Sequence, residues 1–433
     1  MRAPDAAGSL ISTPQIKRPF RLLSIDGGGI RGLIPAMVLA DLERRTNRPI
    51  IDLFDMIVGT STGGLLGLAL STPGENGRPR HTARDIVRLY EQEGRRVFSR
   101  SVWHKIRAVG NLADGKYPSS GLESVLDDYF GETRLKDALA EVIVPAYEIE
   151  RRFPFFFKTS NARAKAYYDY PMKDVIRAAT AAPTYFEPMQ IQVDGPNDYY
   201  ALVDGALFAY NPAMCAYVEV LNRFPEYENI TMVSLGTGEL TRRLPYDEVK
   251  DWGAARWAQP TFAMMCDGIC DVVDYQLQQL LPDLPDGRRQ YFRFQSRLDI
   301  GNDDMDDASN TNIRVLKLVG QDMLQANRMV LRSLSEQLLA WAPPRADAPP
   351  PDTASDAPVT EEQVQLQRPP VPVGAVPIDS AGIARIEARR LLQPVTSLSC
   401  RIRVGRYPGF FIVPGMPSCP RLSFLPLPTI QPL

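Results

Sequence analysis

Short apolar runs alternate with longer amphipathic stretches through the first 342 residues. Residues 22–25, 56–58, 142–147, 155–159 and 230–235 read as strands, and 202–203 leads into a turn at Asp204-Gly205. Residues 33–45, 63–70 and 172–182 carry apolar positions at helical spacing, the last stopping at Pro183. Two longer helical patterns follow over 261–281 and 310–341. This order predicts an α/β fold, a three-layer sandwich with a mostly parallel central sheet that the two long helices help to cover.

The pattern changes at residue 343. Residues 343–377, centred on APPPDTASDAP, are too poor in apolar side chains to bury a core and predict an extended linker. Residues 378–433 hold a short helical pattern over 381–392 and then a Pro-rich tail with scattered Phe and Leu, without motif or repeat. The chain therefore divides into a domain over 1–342, a linker over 343–377 and a tail of unknown role over 378–433.

Composition adds exclusions. Hydrophobic residues make up 44% and charged residues 23%, the balance of a water-soluble globular chain. The net charge of −2 supplies no global field for nucleic acid, so no nucleic-acid partner is expected. Residues 1–20 contain no signal-peptide pattern, and no apolar run is long enough for a transmembrane helix. The five cysteines fit no zinc spacing, and Cys266 and Cys270, one helical turn apart, read as core positions. A cytoplasmic setting is the expectation, with no metal and no cofactor.

Candidate chemistry begins at LLSIDGGGIRGL, residues 22–33. Gly27, Gly29 and Gly32 fit GxGxxG, a dinucleotide signature when a second strand ends in a ribose-holding carboxylate. The second strand instead runs into Gly59-Thr60-Ser61-Thr62-Gly63. GxSxG between a strand and a helix is the nucleophile-elbow pattern: Gly59 and Gly63 permit a sharp turn that projects Ser61 at a helix N-terminus. The first loop then gains a second reading, with the amides of Gly27, Gly28 and Gly29 forming an oxyanion hole.

A serine nucleophile needs a base. The chain has only His81 and His104, and none later, so the common hydrolase order with histidine last is excluded. A carboxylate is the natural substitute. Asp204, ending an apolar run in ALVDGALFAYNP, meets the requirement because apolar surroundings raise a carboxyl pKa toward a useful range. An Asx-type turn is the alternative use of this residue.

DGGGIRG, GTSTG and DGA, in that order, resemble the patatin-like phospholipase family. RAATAAPTYFEP (177–188), VSLGTG (233–238) and DDMDDAS (303–309) are also similar to family segments. The resemblance covers roughly residues 20–340. It implies a patatin-like fold and a Ser–Asp dyad without histidine, with Ser61 as nucleophile and Asp204 as its partner. It also implies an oxyanion hole at Gly27–Gly29 assisted by the Thr62 amide, and a supporting role for Arg31. The implied activity is serine-dependent hydrolysis of fatty-acyl esters of membrane phospholipids through an acyl-enzyme. Some bacterial members of similar size are anti-phage effectors switched on by cyclic nucleotides, so a cyclic-nucleotide activator is a further expectation.

A lipid substrate implies peripheral membrane contact when the enzyme is active. RRVFSRSVWHKIRAVG, residues 95–110, mixes Arg and Lys with Phe98, Trp103 and Ile106 and suits a bilayer interface; a helix packed on the domain is the other reading. Trp252, Trp257 and Phe262 read as core, with an acyl groove as the alternative. Two other classes stay open: a nucleotide-binding protein using the glycine loop, and a scaffold that kept the fold without activity. The sequence leaves head-group preference, acyl position and oligomeric state open.

Overall fold

In the computed structural model, the structure describes residues 17–97, 119–183, 185–193, 198–239, 241, 243–299 and 304–343. The linker from residue 344, the tail, His104, and the proposed membrane residues Phe98, Trp103 and Ile106 lie outside the described residues.

Eight strands form one mixed sheet: β1 (Phe20–Ile25), β2 (Met56–Gly59), β3 (Glu141–Glu148), β4 (Phe153–Lys158), β5 (Met189–Gln192), β6 (Tyr199–Asp204), β7 (Ile230–Leu235) and β8 (Tyr291–Phe294), in the order β5-β6-β3-β2-β1-β7-β8 with β4 also on β3. Strands β3, β2, β1, β7 and the edge strand β8 are parallel. β1, β2, β3 and β7 are largely apolar because both faces are covered. Leu23, Ile25, Ile57 and Val233 join one core, whereas Leu22, Met56, Val58 and Met232 join another across the sheet. Helices Leu33–Thr46, Met172–Ala179 and Asn310–Ala326 pack on the first face, and Ala213–Arg223 and Ala254–Leu280 on the second.

The antiparallel strands place the site. β4 occupies one edge of β3 from Ile143 to Glu148. β2 pairs with β3 only up to Ile143, and β6 pairs with Ala146–Glu148. A strand has two edges, so β2 and β6 must share the remaining one, end to end. β6 runs opposite to β2, and its last residue, Asp204, meets the C-terminal end of β2. Two residues of β3, Val144 and Pro145, lie between the two pairings, a rise of about 10 Å from Ile143 to Ala146.

Three helices differ from the sequence expectation. The pattern over 261–281 begins earlier, at Ala254, and runs through Pro260. The pattern over 310–341 is two helices, Asn310–Ala326 and Arg328–Leu339, because Asn327 turns its side-chain amide onto the Met323 carbonyl (2.9 Å) and ends the first. The pattern over 172–182 stops at Ala179, where Thr180 caps the Ile176 carbonyl through its hydroxyl (2.7 Å). The freed Ala181 carbonyl then accepts the Asp204 amide at 3.1 Å.

Candidate active site

β1, β2 and β7 end in register, Ile25 beside Gly59 and Leu235. The loops that follow therefore leave the same sheet edge side by side. The loop after β2 is a sharp elbow. Ser61 adopts φ 55° and ψ −120°, outside the ordinary regions for a residue with a side chain, and helix Thr62–Ser71 begins at the next residue. A Cβ on Gly59 would lie 2.1 Å from the Gly63 carbonyl oxygen, and one on Gly63 would lie 2.3 Å from that of Ile25. Both glycines of GxSxG are required by close backbone approach.

Asp204 is buried at the end of β6, and the Ala206 amide donates to its Oδ1 at 2.8 Å. The Ser61 side chain lines the same cavity as this carboxyl. Burial pushes the Asp204 carboxyl up to about 7, against the opposing pull of the Ser61 side chain and the Ala206 amide. The structure thus brings Ser61 and Asp204 together, as the sequence predicts.

The glycine loop needs one correction. The Gly27 amide donates to the Tyr210 carbonyl at 2.9 Å, so it is not free to face an oxyanion. Among the described residues the amides of Gly28, Gly29 and Thr62 have no backbone acceptor. These three donors remain from the four expected. Gly28 and Gly29 are forced by crowding: a Cβ on Gly28 would lie 2.4 Å from Thr237 Oγ1, and one on Gly29 would lie 2.2 Å from the Met305 carbonyl oxygen. Arg31 is buried, donating from Nη2 to the Tyr210 hydroxyl at 2.6 Å and from Nε to the Gly28 carbonyl at 3.4 Å. It supports the loop from behind and does not line the cavity.

Ser61 and Asp204 open into one shared cavity. Leu65, Leu89, Leu122, Val125, Phe186 and Phe262 are among its walls. Phe262 therefore belongs to the groove, whereas Trp252 and Trp257 stack edge-on against each other at 5.5 Å. Cys266 and Cys270 are buried beside Ala206 and Tyr210, and burial pushes both thiols up, which keeps them protonated. His81 lies away from this cavity, half-buried rather than solvated, with its ring on Tyr129 (centroids 5.0 Å) and Nε2 3.2 Å from the Tyr129 carbonyl.

Several residues of the site escaped the sequence reading. Asp26 is buried and ion-paired with Arg293 at 2.7 Å, which pins the exit of β1 to β8. Burial raises its carboxyl while Arg293 pulls it down. Tyr90 joins its hydroxyl to that of Thr62, fixing the side chain of the residue after the nucleophile. Thr237 donates to the Gly27 carbonyl. A polar residue between two glycines at a strand end was the one signal for Thr237; the partners of Asp26 and Thr62 lie too far along the chain for spacing to reveal.

Residues 23–217 match the family model described as patatin-like phospholipase. Probable inactive patatin-3-Kuras 1 and Patatin-T5, both of Solanum tuberosum, are each 34% identical over 330 residues, covering 70% of this chain and 86% and 83% of their own. Patatin-17 of Solanum cardiophyllum is 34% identical over 337 residues, covering 72% of this chain and 85% of its own. The chain belongs to the patatin-like phospholipase family, and it is a lipid acyl hydrolase, a carboxylic ester hydrolase.

Proposed function

We propose that the chain hydrolyses fatty-acyl esters of membrane phospholipids with Ser61 as nucleophile and Asp204 as its base. The observation that carries this reading is that Ser61, on a strained strand-to-helix elbow, lines one cavity with a buried carboxylate whose pKa is raised to about 7. A base of that strength can take a proton near neutrality and return it. Asp204 accepts the Ser61 proton as Oγ bonds to the ester carbonyl carbon. The amides of Gly28, Gly29 and Thr62 receive the oxyanion. The ester C–O bond then breaks, and the Asp204 proton goes to the departing lysolipid alcohol. Water, giving a proton to Asp204, attacks the acyl-enzyme; the fatty acid leaves and Ser61 regains its proton.

The apolar walls of the cavity suit an acyl chain, and among the described residues no Lys or Arg lines them to hold a pyrophosphate, which disfavours the nucleotide-binding reading of the glycine loop. Among the described residues no helix is long and apolar enough to cross a membrane. Peripheral contact through Phe98, Trp103 and Ile106 is part of the proposal, as is a cyclic-nucleotide activator.

One experiment tests the reading: fatty-acid release from phosphatidylcholine vesicles and from a soluble short-chain ester, in EDTA, with and without a cyclic-dinucleotide panel. The expected outcome is release by the wild type and none by Ser61→Ala on either substrate. Trp103→Glu should lower release from vesicles and spare the soluble ester. A folded Ser61→Ala protein that still releases fatty acid would overturn the assignment. Stimulation by one nucleotide would add the effector role, and indifference to the whole panel would remove it.

A further inference from the structure

A planar trans peptide carries its C=O and the next N–H on opposite sides, so holding one aims the other. Two such peptides make up the glycine loop. The carbonyl of Gly27 and the amide of Gly28 belong to one, and the carbonyl of Gly28 and the amide of Gly29 belong to the next. Both carbonyls are held from behind. Thr237, leaving the C-terminal end of β7, donates its hydroxyl to the Gly27 carbonyl. Arg31 donates to the Gly28 carbonyl from its backbone amide at 3.1 Å and from Nε at 3.4 Å, and Tyr210 anchors the guanidinium.

Thr237 is buried, and its side chain fills the space that a Cβ on Gly28 would need. The contact is therefore both a hydrogen bond and a steric stop. No side chain other than Thr237 bonds the Gly27 carbonyl among the described residues. Arg31 is a buried cation that bonds no carboxylate there, and its Nη1 has no partner among them. Burying a charge without a counter-ion is unfavourable, so the arrangement is poorly explained by stability.

We propose that Thr237 is a positioning residue of the reaction: its hydroxyl holds the Gly27 carbonyl so that the Gly28 amide faces the oxyanion, while the Arg31–Tyr210 pair does the same for Gly29. The inference rests on the reading of Ser61 and Asp204 given above. Thr237 touches no reacting atom. Its effect is on the orientation of a donor that matters most when the carbonyl oxygen becomes charged, so it should separate binding of the ground state from that of the transition state.

The test compares Thr237→Val and Thr237→Ser with wild type and Ser61→Ala on a soluble short-chain ester, alongside inhibition by a trifluoromethyl ketone, which forms a tetrahedral adduct with a serine. Losing an oxyanion donor outright costs about 10²–10³ in kcat. A misaimed donor should cost Thr237→Val about 10–100-fold in kcat, with KM unchanged and ketone affinity weakened in proportion. Thr237→Ser, which keeps the hydroxyl, should recover most of both. Thr237→Val with wild-type kcat and ketone affinity would overturn the inference while leaving the nucleophile assignment intact. An active Ser61→Ala would instead overturn the reading beneath it. If Thr237→Val does not fold, Tyr210→Phe carries the test, since it frees Arg31 from its anchor. A fall in kcat and ketone affinity at constant KM supports the clamp, and wild-type values overturn it.

Discussion

A carboxyl group that holds its proton near neutrality, sealed from water, strains the folded state and serves a serine. Asp204 is such a group, with a pKa of about 7 against an ordinary 3.8. In the proposed mechanism its deprotonated form is the base, so kcat/KM should rise as pH climbs through about 7 and level off above, read on a soluble ester. Stability should move the other way. Between about pH 4 and 7 the unfolded chain has released this proton and the folded chain keeps it, so stability falls as pH rises across that window. Asp204→Asn should lose activity yet melt higher than wild type at pH 8, with a gain of up to about 4 kcal/mol that vanishes near pH 4. A mutant no more stable at pH 8 would contradict the burial argument. Glu43, also raised to about 7 by burial, contributes its own slope in the same window and leaves a residual pH dependence in the mutant. At this scale Ser61 and Asp204 were legible because each sits in a local motif. The commitment of the Gly27 amide to Tyr210 was not, since that partner lies far along the chain.

The turns that join strands to helices are set by backbone approach, and this gives glycines of opposite character. Gly63 brings the elbow helix against the end of β1, where a methyl group would press on the Ile25 and Asp26 carbonyls. Gly63→Ala should cost about 1–3 kcal/mol. Displacing Ser61 by even an ångström should lower kcat by about 100-fold. Gly268 is the control. It lies in helix Ala254–Leu280 with nothing within 4 Å of its would-be Cβ, so Gly268→Ala should raise stability by up to about 1 kcal/mol and leave kcat alone. Thermal melts with ester kinetics on the two variants check both signs; equal effects would remove the packing argument. The elements themselves were largely readable. Strands covered on both faces print as largely apolar runs, and β1, β2, β3 and β7 did; the edge strand β8, with Arg293 in YFRF, did not. Helix limits were less so. Ala254–Leu280 runs through Pro260, which reads as a breaker in sequence, and the break at Asn327 depends on a side chain turning back on its own helix. That β6 lies antiparallel beyond the end of β2 was not readable, because strand partners far apart in sequence leave no periodic trace.

For the whole molecule, that end-to-end arrangement of β2 and β6 on one edge of β3 governs when Ser61 meets Asp204. The strand leading to the serine is near the start of the chain, and the strand bearing its proposed base lies beyond β3, β4 and β5 and pairs with β3 over a long sequence separation. Closing contacts of such long span is slow compared with forming local turns. A chain still emerging from the ribosome, or one unzipped at its β5–β6 edge, therefore displays an ordinary, unactivated alcohol. In refolding from denaturant, recovery of esterase activity should lag the recovery of helical circular dichroism; simultaneous recovery would dismiss the idea. A lipid acyl hydrolase thus has a safety catch written into its strand order: the serine is carried early and its carboxylate arrives later.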